Sequence, residues 1–313
     1  MEYILIAVGV LLLGGLVAML CFTLPIAKRV YRHQLVRTEP DKWGRVCSAP
    51  ENEEQLAMWN AGNAWAQEHQ ARKQAVEIEN EGLKLCGEYY DFGSDRCVII
   101  LPGRCESLGY SYYFAAPYEK AGLNVLVIDT RCHGNSDGVY NTIGVAESRD
   151  LLRWIAFIQE RFAVREIWLH GICIGTNTCI LAMADPSCPK LVRGLVTEGC
   201  YITFRETFKT HMLADHRPLF PVLDLIMLEI YRHTGTNVLR TSPLRILPKI
   251  HRPVLFLFGE QDIFSRPDKS RRLFAACGSE KKRLVWFPKG GHSHLRINDP
   301  QRYDNAIAEF VNE

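Results

Sequence analysis

The sequence predicts an α/β protein, a mostly parallel sheet with helices on both faces, and three observations carry that prediction. Continuous apolar runs at residues 97–101 (CVIIL), 124–128 (NVLVI) and 254–258 (VLFLF) have the length and character of strands buried on both faces. Between such runs lie segments of helical spacing, such as Leu151, Trp154, Ile155 and Ile158 at i, i+3, i+4, i+7. The third observation is a junction: an apolar run at 167–169 passes through Gly171-Ile172-Cys173-Ile174-Gly175 into a helix-compatible stretch at 176–184. Strand, helix, strand at this spacing argues for parallel βαβ units.

In chain order, residues 3–27 contain no charged side chain and can cross a hydrocarbon core of roughly 30 Å as one helix. Only Glu2 precedes the run, which favours an uncleaved anchor over a cleaved signal peptide. Lys28, Arg29, Arg32 and Arg37 follow it, so the positive-inside rule places the bulk of the chain in the cytoplasm, behind a single span. Eleven cysteines, an odd number without paired CxxC spacing, agree with a reducing compartment and argue against a zinc ribbon or a disulfide framework.

This divides the chain into an anchor (1–27), a juxtamembrane linker and helix (28–73) and a catalytic domain (74–313). In the linker, Ser48, Pro50 and Glu51, Glu53 and Glu54 read as a helix start. Leu56, Met58, Trp59 and Trp65 give that helix an apolar side, facing either the catalytic domain or the membrane. The catalytic domain opens with strand patterns at 75–78 and 83–85 around a Glu81-Gly82 turn, a hairpin. Further strands are expected at 195–197 and 284–287, and helices at 269–276 and around Tyr303, Ile307, Phe310 and Val311. Residues 201–250 break the alternation with helical patterns and prolines, and read as a cap inserted over the sheet.

Lysine and arginine total 37 against 35 acidic residues, which excludes a strong electrostatic pull toward nucleic acid. Chemistry in open parallel sheets gathers beyond the carboxyl ends of strands. There the chain offers Pro102-Gly103-Arg104, then 129–138 (DTRCHGNSDG), Cys173, Glu198, Asp262, and His292 after a double glycine. Gly-x-Cys-x-Gly between strand and helix is a nucleophile elbow with cysteine at its apex, and the order nucleophile, acid, histidine follows. The helix N-terminus beneath that cysteine favours its thiolate.

These segments, together with 98–103, 242–262 (SPLRILPKIHRPVLFLFGEQD) and the Gly-Gly-His at 290–292, resemble the α/β-hydrolase superfamily over nearly all of 75–313. The nearest likeness is to a membrane-anchored bacterial branch similar to serine aminopeptidases and monoglyceride lipases. That branch has serine where this chain has Cys173, and cysteine there is similar to dienelactone hydrolases. The resemblance implies Cys173 as nucleophile, His292 as base, Asp262 as its orienting acid with Glu198 the rival, and an oxyanion hole from the backbone N–H groups of Ile174 and Arg104. Family members commonly carry a histidine before the loop glycine, where this chain has Pro102.

The implied activity is cleavage of a carboxylic ester, thioester or lactone through an acyl-enzyme, with no cofactor and no metal. Its substrate would be a small ester-like molecule, lipid-derived if the apolar cap (Phe204, Phe208, Met212, Leu213, Phe220, Ile226) accommodates an acyl chain. Two rival readings stand beside it. An aminopeptidase would need cap acids such as Glu206, Asp215 and Asp224 to hold an ammonium. An inactive binding or redox-sensing protein would keep the fold alone. Asp129, Arg131 and His133 read as a structural turn, and His211, His216 and Cys200 lack the spacing of a metal site. Oligomeric state is not legible.

Overall fold

The computed structural model describes residues 1–313. Its strands are β1 (Lys73–Asn80), β2 (Leu83–Tyr90), β3 (Arg96–Leu101), β4 (Asn124–Ile128), β5 (Glu166–Ile172), β6 (Val192–Glu198), β7 (Val254–Gly259) and β8 (Lys282–Phe287). Its helices are α1 (Glu2–Leu35), α2 (Glu53–Glu68), α3 (Leu108–Ser111), α4 (Ala116–Lys120), α5 (Val145–Phe162) and α6 (Ile174–Ala184), then α7 (Phe204–Ala214), α8 (Val222–Thr234), α9 (Pro243–Ile246), α10 (Pro267–Ala276), α11 (Leu295–Asn298) and α12 (Pro300–Val311). The eight strands form one sheet in the order β1-β2-β4-β3-β5-β6-β7-β8. The β1–β2 and β2–β4 pairs are antiparallel and every other pair is parallel.

Burial explains the strand sequences. Along β3, Cys97, Ile99 and Leu101 enter one hydrophobic core while Val98 and Ile100 enter the core on the opposite face. Both faces are covered by helices, so the strand is apolar throughout. Edge strand β1 has one wet face and alternates, with Val76 and Ile78 buried and their neighbours exposed or half-buried. Its hairpin to β2 turns through Glu81 (φ 52°) and Gly82 (φ 74°), the two left-handed positions of a type I′ turn.

Helix α1 is long and apolar enough to cross a membrane. Its first six turns stand clear of the rest of the molecule, and the helix then continues to Leu35. Ala27, Val30, Tyr31 and Leu35 are buried in a third apolar cluster with Phe204, Phe208, Met212, Leu223, Ile226 and Ile230 of the cap. Full burial of a Val or Leu side chain contributes about 1.5–3 kcal/mol. The lower end of the helix is therefore fixed to the cap, against α8, rather than tethered loosely.

Helix α2 starts later than Ser48 and Pro50 suggest. Asn52 is its N-cap, with Oδ1 accepting the Gln55 N–H at 3.0 Å. Ser48 instead donates to Glu106 Oε1 at 2.5 Å, a tertiary contact that outcompetes a local capping role. The helix packs on the catalytic domain: Met58 is fully buried, and Gly62 lies so close to Tyr113 that a Cβ would sit 2.7 Å from its backbone nitrogen.

Candidate active site

Cys173 occupies the junction of β5 and α6 with φ 54° and ψ −112°, a strained conformation for a residue with a side chain. Both flanking glycines are required by space. A Cβ on Gly171 would lie 2.4 Å from Thr176 Cα, and one on Gly175 would lie 2.5 Å from the Leu101 carbonyl oxygen. The turn is braced from β6, where the Glu198 carbonyl accepts the Cys173 N–H at 2.8 Å, and from within by Thr176 Oγ1 donating to Gly171 O at 2.6 Å. The apex side chain is thereby lifted beyond the sheet at the head of α6.

His292 and Asp262 arrive from the loops after β8 and β7. Nδ1 of His292 donates to Asp262 Oδ2 at 2.8 Å. The other carboxylate oxygen accepts the N–H groups of Phe264 (2.8 Å) and Ser265 (2.7 Å), so Asp262 has its orientation set before the histidine engages it. Below the ring, Gly199 leaves room that a side chain would take: its Cβ would be 2.7 Å from His292 Cε1. The Cys173 thiol also adjoins the ring, as does Phe264, edge-on.

The electrostatics follow from this packing. Burial raises the Cys173 thiol, but the adjacent His292 and Arg104 charges outweigh it and leave its pKa lowered. Burial likewise lowers His292, and the Asp262 and Cys173 charges outweigh it, so its pKa lies well above the ordinary value. Asp262, desolvated yet paired with His292 and two backbone donors, stays below the carboxylate norm. The resting arrangement this favours is thiolate, imidazolium and carboxylate.

Glu198, the rival acid, points elsewhere. Its carboxyl is fully buried, accepts from Tyr303 Oη, and is pushed up to about 7, chiefly by desolvation. His292 is held by Asp262 instead.

Ile174 follows Cys173 directly, and Gly103, next to Arg104, lies against it, with a Cβ there 3.8 Å from Cys173 Cβ. Ile174 is the first residue of α6, where the N–H has no intrahelical acceptor, and the Arg104 N–H donates to no backbone carbonyl. The loop carrying Arg104 is held by residues that sequence reasoning missed. His133 Nε2 lies 2.5 Å from the Arg104 carbonyl, its Nδ1 lies 2.9 Å from the Arg131 carbonyl and 3.1 Å from Thr130 Oγ1, and its ring stacks on Trp43. The turn at 129–138 is held by hydrogen bonds to Asp129, and the loop it supports adjoins Cys173.

The 28–73 segment also reaches the site. Gln34, near the end of α1, receives the Arg104 guanidinium on its carbonyl (2.9 Å) and its side chain (2.7 Å). Gln55 of α2 donates to Glu106 in the Arg104 loop at 3.0 Å and pairs with His294 Nε2 at 2.8 Å, two residues after His292. One glutamine thus ties the two loops together. A signal for this was present only as His294 in a Gly-Gly-His-Ser-His run, which reads as a surface loop.

The cap settles two further points. Phe204, Phe208, Met212 and Ile226 are buried against one another and α1, whereas Leu213 and Phe220 are exposed. The acids Glu206, Asp215 and Asp224 are ion-paired with Lys269 (2.6 Å), Arg217 (3.1 Å) and Arg205 (2.7 Å). His211 stacks on Phe264, which in turn meets His292 edge-on, and burial lowers His211 to about 3. A cavity of about 170 Å³ beside Phe264 is lined by Tyr201, Thr207, Thr210 and Leu213 among others.

Comparison with known proteins agrees with the geometry. Residues 96–220 match the family described as alpha/beta hydrolase fold. The chain is 27% identical over 220 residues to the uncharacterized protein YqkD of Bacillus subtilis, covering 68% of this chain and 70% of that one. It is 24% identical over 241 residues to an uncharacterized membrane protein of Saccharomyces cerevisiae, covering 75% and 78%. Among solved structures, an esterase of Pyrococcus furiosus superposes with a TM-score of 0.66 at 22% identity, covering 79% of this chain and 93% of the esterase. The sheet order, the strained elbow and these matches identify the architecture: this chain has the α/β-hydrolase fold.

Proposed function

We propose that the protein is a membrane-anchored hydrolase that cleaves a small carboxylic ester, thioester or lactone through a Cys173–His292–Asp262 triad. The fold, the family match and the esterase neighbour support a hydrolase acting on ester bonds. The observation that carries the finer reading is the strained Cys173 at the head of α6, adjoining a histidine whose Nδ1 lies 2.8 Å from a preoriented aspartate.

In this reading the Cys173 thiolate attacks the substrate carbonyl carbon, and the electron pair of the C=O bond moves onto oxygen. The N–H groups of Ile174 and Arg104 receive that oxyanion. As it collapses, the ester C–O bond breaks and Nε2 of His292 delivers its proton to the leaving oxygen, giving an alcohol and an acyl-thioester. Water then attacks the thioester, His292 takes a proton from it, and Cys173 leaves as thiolate with release of the acid. Asp262 holds the imidazole in the tautomer both halves need. No step calls on a cofactor or a metal.

Helix α1 would anchor this domain in the membrane, with Lys28, Arg29 and Arg32 on the cytoplasmic side. The paired cap acids leave no free carboxylate for a substrate ammonium, which weighs against an aminopeptidase. Phe204, Phe208, Met212 and Ile226 of the cap are engaged in packing, so they say nothing about acyl length.

The test is a panel of p-nitrophenyl acyl esters and aminoacyl p-nitroanilides with the full-length chain in neutral detergent, beside Cys173→Ala. Ester turnover that disappears in the variant, with the anilides untouched, is the expected result. Anilide cleavage exceeding ester cleavage, or ester turnover unchanged in Cys173→Ala, would overturn the proposal.

A further inference from the structure

A second cavity, of about 560 Å³, lies where α1 meets the cap and is lined by Lys28, Tyr31, Arg32, Arg37, Arg232 and His233, with Glu229 and the apolar Val36, Val139 and Tyr140. Four permanent cations face a single carboxylate there. Glu229 is buried and already engaged by Arg232 at 3.1 Å and His233 at 3.3 Å. Arg37 is engaged by the carbonyls of Gly134 and Ser136. Lys28 and Arg32 have no ion-pair or hydrogen-bond partner for their side chains and are exposed. The carboxyl ends of α1 and α8 add about half a negative charge each, which leaves the surplus positive.

Two observations point to an absent ligand rather than to a solvated basic face. Tyr31 is 3% exposed and lines the cavity, yet its buried hydroxyl has no hydrogen-bond partner, and the buried Nε of Arg37 has none either. An unpaired buried donor costs about 1–3 kcal/mol, and a ligand oxygen that displaces the wall over the Tyr31 hydroxyl would complete it. The His233 ring is also stacked between Tyr31 (5.2 Å) and Tyr140 (5.3 Å), which makes the aromatic wall rigid.

We propose that this cavity binds the phosphate headgroup of an anionic phospholipid, with Lys28 and Arg32 supplying charge and the Tyr31 hydroxyl donating to a phosphate oxygen. The place selects the lipid over a free anion. Lys28 follows the uncharged run of α1 directly, so if α1 spans the bilayer the cavity opens at the headgroup layer, where cations also gain from the anionic surface. The proposal rests on the anchor reading of α1 and not on the esterase reading, since none of the triad residues lines the cavity.

Full-length protein in neutral detergent would be titrated calorimetrically with dioctanoylphosphatidylglycerol, dioctanoylphosphatidylcholine and inorganic phosphate. Saturable phosphatidylglycerol binding is expected, with markedly weaker binding of the other two. The double variant Lys28→Gln/Arg32→Gln should weaken it about thirtyfold, at about fivefold per cation. Tyr31→Phe should weaken it about tenfold through the lost hydrogen bond to a charged group. The distant pair Lys190→Gln/Lys249→Gln should leave it unchanged. Equal loss in the distant pair, no effect of Tyr31→Phe in a variant that melts like wild type, or inorganic phosphate binding as tightly as the lipid would each overturn the proposal. Vesicle flotation of the same chain tests the anchor separately, so the two failures are distinguishable.

Discussion

Replacing Asp262 by asparagine keeps the size of the side chain and changes two things that can be reckoned from the structure. Oδ1 still accepts the N–H groups of Phe264 and Ser265, so the loop after β7 should hold its shape. With the amide oxygen kept on those two N–H groups, the atom facing His292 Nδ1 at 2.8 Å becomes the amide NH2, a donor in place of a carboxylate. A unit charge pair about 4 Å apart, at an effective dielectric of about 20, is worth about 4 kcal/mol. That loss lowers the imidazolium population beside Cys173 and reduces acyl transfer by about 10³-fold. With the amide N–H facing Nδ1, the wrong tautomer is held and the loss grows to about 10⁴-fold. The assay is the rate of Cys173 alkylation by iodoacetamide against pH, together with ester turnover. In wild type the lowered thiol should stay reactive at pH values where an ordinary thiol, of pKa about 8.5, has lost its thiolate. In Asp262→Asn the midpoint should move up toward that ordinary value. An unchanged midpoint with unchanged turnover would refute the assignment of Asp262 and of the charge coupling through His292.

Two further outcomes follow from the buried groups around the site. Glu198→Gln should retain turnover, since Glu198 contacts Tyr303 and not His292, and it should stabilise the protein as pH rises. The sign follows from a folded pKa raised to about 7: the protonated form is favoured in the fold, so wild type loses stability between the unfolded carboxylate pKa, about 4.3, and 7. That loss is about 4 kcal/mol, so melting temperatures at pH 5 and pH 8 should diverge between wild type and variant; parallel curves would contradict the reading. Gly175→Ala places a methyl 2.5 Å from the Leu101 carbonyl and 2.8 Å from that of Pro102, backbone atoms that cannot swing away. Overpacking of this kind costs about 1–3 kcal/mol, which thermal unfolding should register as a drop of several degrees.

How far the sequence alone reaches depends on the range of the contact concerned. Strands β3, β4 and β7 were legible because burial on both faces leaves an uninterrupted apolar run. The elbow was legible from the spacing of Gly171, Cys173 and Gly175 between strand and helix; Gly171 is dictated locally by Thr176, Gly175 by the distant Leu101 and Pro102. The start of α2 was not: Ser48 and Pro50 satisfy local capping rules, but Ser48 is drawn to Glu106, 58 residues away. Gln34 and Gln55 carry no motif, and their importance lies wholly in partners at Arg104, Glu106 and His294; His133 lies in the 129–138 segment, whose sequence does not show its partner at Arg104. The length of α1 beyond residue 27 was hidden for the same reason. Its last turns carry charges that end a membrane pattern, while Val30, Tyr31 and Leu35 continue a helix that belongs to the cap.

The central claim is that Cys173 is a nucleophile poised by His292. Its most direct test is labelling of the full-length protein with an ester-mimicking acylating probe, mapped by peptide mass spectrometry, in wild type, Cys173→Ala and His292→Ala. The account predicts acylation confined to Cys173 among the eleven cysteines and lost in both variants. A folded wild-type protein that takes no label at Cys173, or labelling there that survives His292→Ala undiminished, would contradict it.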